Sequence, residues 1–168
     1  RSVKGDLLAA QVGVLNRQYK GTDVVTALAE RGVAGWSFAF AGSGAPSCSA
    51  AQSVDRFLEG GDLAATVRAA DAVLLPYRHS TQSAVIVLSQ LCGTVPVASA
   101  VDGLTEQIDD GVSGLLVPPG APIEIWAERL GELANSRERT RIAAAGTAAV
   151  WRQHDQFRAG IRSIIDRC

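Results

Sequence analysis

Short apolar runs alternate with stretches of helical spacing along most of the chain. Residues 7–15, 36–41, 72–76, 95–98 and 113–117 read as strands, and 54–58 is a shorter apolar run. Residues 23–30 carry Val24, Leu28 and neighbouring alanines at helical spacing, 62–70 look helical, and 83–92 form a helix stopped by Gly93. From 123 to 166 the reading is nearly all helix, with breaks expected at Asn135-Ser136 and His154-Asp155. The alanine-rich stretch 142–150 is a strong helix former. Trp126, Leu130 and Leu133 recur on one helical face and should meet a sheet. Phe157, Ile161, Ile164 and Ile165 recur in the same way near the end.

Strands that are apolar nearly throughout are buried on both faces, with helices as crossovers between them. The pattern predicts an α/β fold: a doubly wound, Rossmann-like parallel sheet with a helical C-terminal tail, as one domain over residues 1–168. Such sheets bind ligands beyond the carboxyl ends of their strands. The loops after Leu15, Ala41, Pro76 and Ala98 are therefore the first places to look for function.

Composition removes several alternatives. A net charge of −1 leaves no basic footprint for nucleic acid or an anionic membrane. Cys48, Cys92 and Cys168 are odd in number and widely spaced, which argues against a zinc site or disulfide scaffold and fits a cytoplasmic setting. No apolar run has the length of a transmembrane segment. The chain starts at Arg1 without Met, so a missing upstream part is expected.

The loop Asn16-Arg17-Gln18-Tyr19-Lys20-Gly21 sets two cations before a helix start, which suits phosphate; the alternative is a solvated basic loop. The loop Ala41-Gly42-Ser43-Gly44-Ala45-Pro46-Ser47 begins like a dinucleotide fingerprint, but Pro46 and Ser47 break it. A glycine turn that lets a ligand or neighbouring loop come near is the preferred reading there. After the run 72–76 comes Tyr77-Arg78-His79-Ser80-Thr81-Gln82-Ser83, a cation followed by hydroxyl and amide groups at a helix N-terminus. That set can cradle a diphosphate, or Ser and Thr can simply cap the helix. His79 is an acid–base candidate or a solvated loop residue. In Asp102-Gly103-Leu104-Thr105-Glu106, Glu106 falls in a first helical turn, where it either accepts from sugar hydroxyls or complements the helix dipole.

Six segments in order resemble the C-terminal domain of glycosyltransferase family four, a retaining group with the two-domain GT-B fold. Arg17 to Gly21 resembles its phosphate loop "R-P-Y-K-G", and Ala69 to Pro76 its strand "aaDvvvlP". Pro76-Tyr77-Arg78 with Thr81-Gln82-Ser83 resembles the donor loop "PYR…TQS", and Gly93 to Ser99 resembles "GxPVvas". Asp102 to Glu106 resembles "gGlxE", and Asp110 to Pro119 resembles "dGxtGllvpp". Ser80 and Leu88 stand where many members carry two glutamates, one meeting the sugar and one the ribose.

The resemblance implies binding of a nucleoside diphosphate sugar and transfer of its glycosyl group to an acceptor hydroxyl. Negative charge then builds on the leaving diphosphate, to be stabilised by fixed cations and N–H dipoles. Lys20 and Arg17 are the catalytic candidates. Lys20, Arg17, Arg78, Ser80, Thr81, Gln82, Ser83 and Glu106 are the donor-binding set. No Asp-x-Asp metal clamp stands in these loops, and no cofactor is called for beyond the donor. An N-terminal acceptor domain is the missing partner, so the isolated chain is expected to be inactive. In such a protein the last helix crosses to the other domain, so some of Phe157, Ile161, Ile164 and Ile165 should be exposed. The missing glutamates suggest a second hypothesis, a non-catalytic module of the same fold. A receiver-like or flavodoxin-like domain lacks its expected Asp cluster here, and a sugar-nucleotide epimerase would also need two domains. Lys20 is taken as an exposed cation, dispensable for folding, that faces the amides of residues 81–83 with Arg78 or Arg17.

Overall fold

The computed structural model describes residues 6–165, with the side chains of Ile164 and Ile165 and all of Cys168 outside the described residues. Six parallel strands form one sheet: β1 (Leu7–Val12), β2 (Trp36–Ala41), β3 (Gln52–Val54), β4 (Ala72–Leu75), β5 (Val95–Ser99) and β6 (Leu115–Val117). Their order is β3-β2-β1-β4-β5-β6, so the direction of winding reverses between β1 and β4. A crevice opens at such a switch point, outside the carboxyl ends of the two strands.

The helices are α1 (Thr22–Arg31), α2 (Gly60–Ala69), α3 (Ala84–Leu91), α4 (Ile123–Glu132) and α5 (Ser136–Ile165). Adjacent residues of a strand point to opposite faces. Ala9, Leu74 and Val97 join Leu28, Trp36, Trp126, Leu130 and Leu133 in one core. Ala10, Val73, Leu75 and Ala98 join Val67, Ile86 and Leu104 in the other. Every residue of β4 and β5 is buried, as their unbroken apolar runs require. Trp126, Leu130 and Leu133 face the core as expected, and the Trp36 indole N–H donates to Leu130 O at 3.1 Å.

Four local expectations change. The strand expected over 7–15 stops at Val12, where Gly13 takes φ 105°; of the short run 54–58 only Val54 lies in the sheet, and Asp55 accepts the Gly44 N–H at 2.7 Å. Ser113 precedes its strand, because its hydroxyl accepts the Asp109 N–H and its own N–H donates to Asp109 O, closing a turn. The break at His154-Asp155 is absent; α5 runs through it, with the Trp151 and His154 rings in edge contact. Neither residue is a helix breaker of the Gly or Pro kind. The break at Asn135-Ser136 holds, with Asn135 Oδ1 capping the N–H groups of Arg137 and Glu138.

The two halves of α5 differ. Ile142 is buried and Thr147 Oγ1 donates to Gln90 O at 2.6 Å. From Trp151 to Ser163 every residue is exposed, Phe157 and Ile161 among them, as expected of that face. Ile164 and Ile165, named in the same expectation, have side chains outside the described residues. No helix among the described residues is long and apolar enough to cross a membrane.

Candidate functional site

The chain leaves β1 and enters a 3-10 turn, Gln18–Lys20, that ends on Gly21. Gly21 has φ 62°, and a Cβ there would lie 2.0 Å from Pro76 O, so only glycine lets this turn press on the loop after β4. Gln11 of β1 is almost fully buried and donates from Nε2 to Lys20 O at 2.9 Å, fixing the turn from beneath. Its Oε1 is buried without a partner among the described residues. The 41–47 loop is the glycine turn of the preferred reading: a Cβ on Gly42 would meet Gly13 O at 1.8 Å.

Lys20 is not the exposed cation the loop suggested. It is 8% exposed, and its ammonium donates to Tyr77 Oη at 2.8 Å. It lies 4.7 Å from the Tyr77 ring centre and 5.9 Å from that of Tyr19. No carboxylate of the described residues comes within 4.0 Å of it. Burial pulls the Lys20 ammonium below the usual lysine range, and the charge interaction with Tyr19 opposes this. Burial pushes the Tyr77 phenol up to about 12, and the nearby Ser83 side chain opposes this. The two loops of the expected site thus meet, with Tyr77 between Lys20 and Ser83.

The other predicted residues are arranged differently from expectation. The Arg78 N–H donates to Tyr19 O at 2.7 Å. Its guanidinium donates to Gln18 O at 2.5 Å and pairs with Asp23 at 2.8 Å. Arg78 is therefore a brace between the loops, its guanidinium engaged by Gln18 O and by the carboxylate that α1 offers. Arg17 is exposed and lines the open cavities of about 360 and 400 Å³ beside Arg78. Ser80 Oγ donates to Gln82 O at 2.8 Å, while Thr81 and Gln82 are exposed.

Ser83 is buried at the N-cap position of α3 but makes no side-chain cap bond. Its N–H is already taken by Gln107 Oε1 at 2.7 Å, and Gln107 Nε2 donates back to Ser83 O at 3.2 Å. The expected amide cradle over residues 81–83 thus loses the Ser83 N–H and keeps those of Thr81 and Gln82. Glu106 is exposed in a turn after the 3-10 segment Asp102–Leu104, not within the first turn of a helix. Gly103 has the non-helical φ of 44°, and a Cβ there would lie 2.0 Å from Thr81 O, so only glycine lets this segment come so near the loop after β4.

A cavity of about 440 Å³ runs between Arg78, His79, Ser80 and Thr81 on one side and Ala100, Val101, Asp102 and Pro119 on the other. His79 stacks at 34° on Tyr19, ring centres 5.2 Å apart. Neither Lys20 nor Glu106 lines these three cavities. Leu88 lines a separate hollow of about 410 Å³ with Ala84, Val87 and Leu91. The crevice as a whole offers cations, amides and hydroxyls but no clustered carboxylates, and no group of three or more metal-ligating side chains occurs among the described residues. That chemistry suits an anion with polar substituents.

Sequence reasoning missed three residues. Tyr77 was seen only as part of a motif, and Gln107 carries no spacing signal. Gln11 did leave one: it is the single strongly polar side chain in the run 7–15.

The family model "Glycosyl transferases group 1" matches residues 8–136. A D-inositol 3-phosphate glycosyltransferase of Actinosynnema mirum is 44% identical over 98 residues, covering 56% of this chain and 23% of that protein. The Saccharomonospora viridis protein of the same name is 41% identical over 106 residues, 61% of this chain and 23% of its own. The chain thus aligns with about a quarter of the length of these curated relatives. Anabaena Alr3699/HepE, solved in complex with UDP, superposes with a TM-score of 0.75 at 17% identity over 94% of this chain and 49% of that chain. The C-terminal domain of the group 1 glycosyl transferase LpcC of Francisella tularensis gives 0.69 at 17% identity, covering 89% of this chain and 87% of its own. On the sheet order and the family match together, this chain is an α/β domain of the glycosyl transferases group 1 family.

Proposed function

We propose that the chain is the donor-binding domain of a retaining family-four glycosyltransferase, the C-terminal half of a two-domain protein. The observation that carries this reading is the meeting of the β1 and β4 loops at the switch point, around a buried lysine with no carboxylate partner. A nucleoside diphosphate sugar lies in this crevice. Lys20 and Arg17 meet the diphosphate and stabilise the charge of the leaving group, together with the amides of Thr81 and Gln82. Ser80 and Glu106 reach the sugar, while Arg78 and Ser83 hold the loops that frame it. The UDP and UDP-glucose seen in the Anabaena neighbour support a uridine nucleotide as the first ligand to try.

The acceptor site belongs to a second domain, in keeping with relatives far longer than the aligned segment. The chain alone therefore turns over no donor at an ordinary rate, since orientation and exclusion of water need the closing face. Calorimetry with UDP, GDP and ADP and their glucose conjugates tests the reading. One of them is expected to bind, and binding by none rejects it.

A second reading is a domain of the same fold that binds but does not transfer. Leu88 beside Val87 and Leu91 and Ser80 tied to Gln82 O favour it, because neither supplies a carboxylate. Joining the chain to the N-terminal half of a relative restores transfer on the first reading and not on the second.

A further inference from the structure

An ammonium this deeply buried ordinarily has a carboxylate beside it. The Lys20 ammonium instead donates to a neutral phenol, that of Tyr77. That phenol is itself held firmly. Tyr77 is 4% exposed, its N–H donates to Leu75 O at 2.8 Å, and its ring meets that of Tyr19 edge-on at 5.7 Å. Its hydroxyl lies beside the Ser83 side chain, near enough to influence its ionisation, and the Ser83 backbone is gripped at both its N–H and its C=O by the Gln107 amide. A continuous set of contacts thus runs from the start of α3 to the end of β1.

We propose that Tyr77 is a positioning residue for Lys20: it fixes the ammonium at the β1–β4 crevice without neutralising it, so that the diphosphate is its first anionic partner. This rests on the reading that Lys20 meets the diphosphate. A carboxylate at the same place would hold the ammonium but cancel its charge and repel the ligand. An apolar side chain would leave the ammonium without an acceptor in a dry site. The phenol accepts a hydrogen bond and stays neutral at every working pH, since its ionisation is pushed up to about 12. The titratable groups facing the ammonium are Tyr19 of its own turn and Tyr77 of the β4 loop, while β1 presents the uncharged Gly13 and Gln11.

The chain has two lysines, Lys4 and Lys20, so 15N-lysine labelling gives a spectrum in which the Lys20 Nζ titration can be followed directly. In Tyr77→Phe, which removes only the phenol oxygen, the Lys20 midpoint should move to lower pH. UDP affinity at neutral pH should fall about five- to tenfold, and the alkaline limit of UDP binding should move down with the midpoint. A packing role alone would lower the melting temperature and leave the midpoint where it was. An unchanged midpoint and unchanged affinity in Tyr77→Phe overturn the proposal. Should that variant not fold, Ser83→Ala decides: a smaller shift in the same direction supports the relay and an unshifted midpoint rejects it. Lys20→Ala separates the two layers. If it binds UDP as the parent does, the diphosphate reading fails, whatever Tyr77 does to the Lys20 titration.

Discussion

The end of β1 and the outer half of α5 are opposite departures from the usual partition of side chains. At the first, a lysine is 8% exposed with no carboxylate beside it. At the second, Trp151, Phe157 and Ile161 are 55%, 69% and 42% exposed on the part of α5 where every residue from 151 to 163 is exposed. A domain folding only for stability would do neither, because an unpaired buried charge and an uncovered apolar face both cost free energy. The difference lies in what holds each in place. The lysine is over-determined by Gln11 beneath, Tyr77 beside and Gly21 behind, whereas the outer helix has no buried residue from Trp151 to Ser163. On the proposed function the first is preorganised for a diphosphate, while the second has no counterpart within the domain.

The sharpest way to break this contrast is to attack the over-determined side. Gly21→Ala puts a Cβ 2.0 Å from Pro76 O at a φ of 62°, so both the backbone and the facing loop must shift. The expected cost is more than about 2 kcal/mol, a fall in melting temperature of roughly 4–8 °C for a domain of this size, with UDP binding lost. A melting temperature within a degree of the parent would mean that the two loops are not locked together.

Next in size are substitutions of Lys20 itself. Lys20→Ala should weaken UDP binding about tenfold or more, a loss near 1.4 kcal/mol by calorimetry. The same residue should cost the fold something. Its folded pKa lies below the value in the unfolded chain, so the unfolded state binds more protons between the two. Stability therefore rises with pH through that window, and below it the cost of the buried ammonium is fully present. Lys20→Met keeps the volume and removes the charge. It is expected to hold or raise the melting temperature by about 1–4 °C at neutral pH while weakening nucleotide affinity as much as Lys20→Ala does. A sharp fall in stability would show that the ammonium is better compensated than its contacts indicate.

Periodicity carried most of the fold because it follows from burial. The runs 36–41, 72–76 and 95–98 are apolar on both faces, and they became strands covered on both faces. It failed where a single side chain captured the backbone. Ser113 closed a turn where a strand was expected. The site was legible as loops but not as partners. The segments holding Lys20, Arg78 and Ser83 were found, yet a string of polar residues does not say which one will bury. Arg78 went to Asp23, Lys20 to Tyr77 and the Ser83 amide to Gln107, contacts 55, 57 and 24 residues apart that no local pattern encodes.

The smallest effect tests the other side of the contrast. Gly160 lies inside the outer half of α5, and a Cβ built there meets nothing within 4 Å. Alanine is favoured over glycine in an open helix by about 0.8–1 kcal/mol, because glycine loses more backbone freedom. Gly146 is the control within the same helix: its Cβ would meet Ser113 O at 2.9 Å, so the propensity gain is spent on moving a neighbour. Gly160→Ala is therefore expected to slow amide exchange across residues 151–163 several-fold and to leave UDP affinity unchanged. Gly146→Ala should leave that exchange alone and lower the melting temperature slightly. If Gly160→Ala instead destabilises the chain, a surface lies against the outer helix in solution, and its apolar face is already covered.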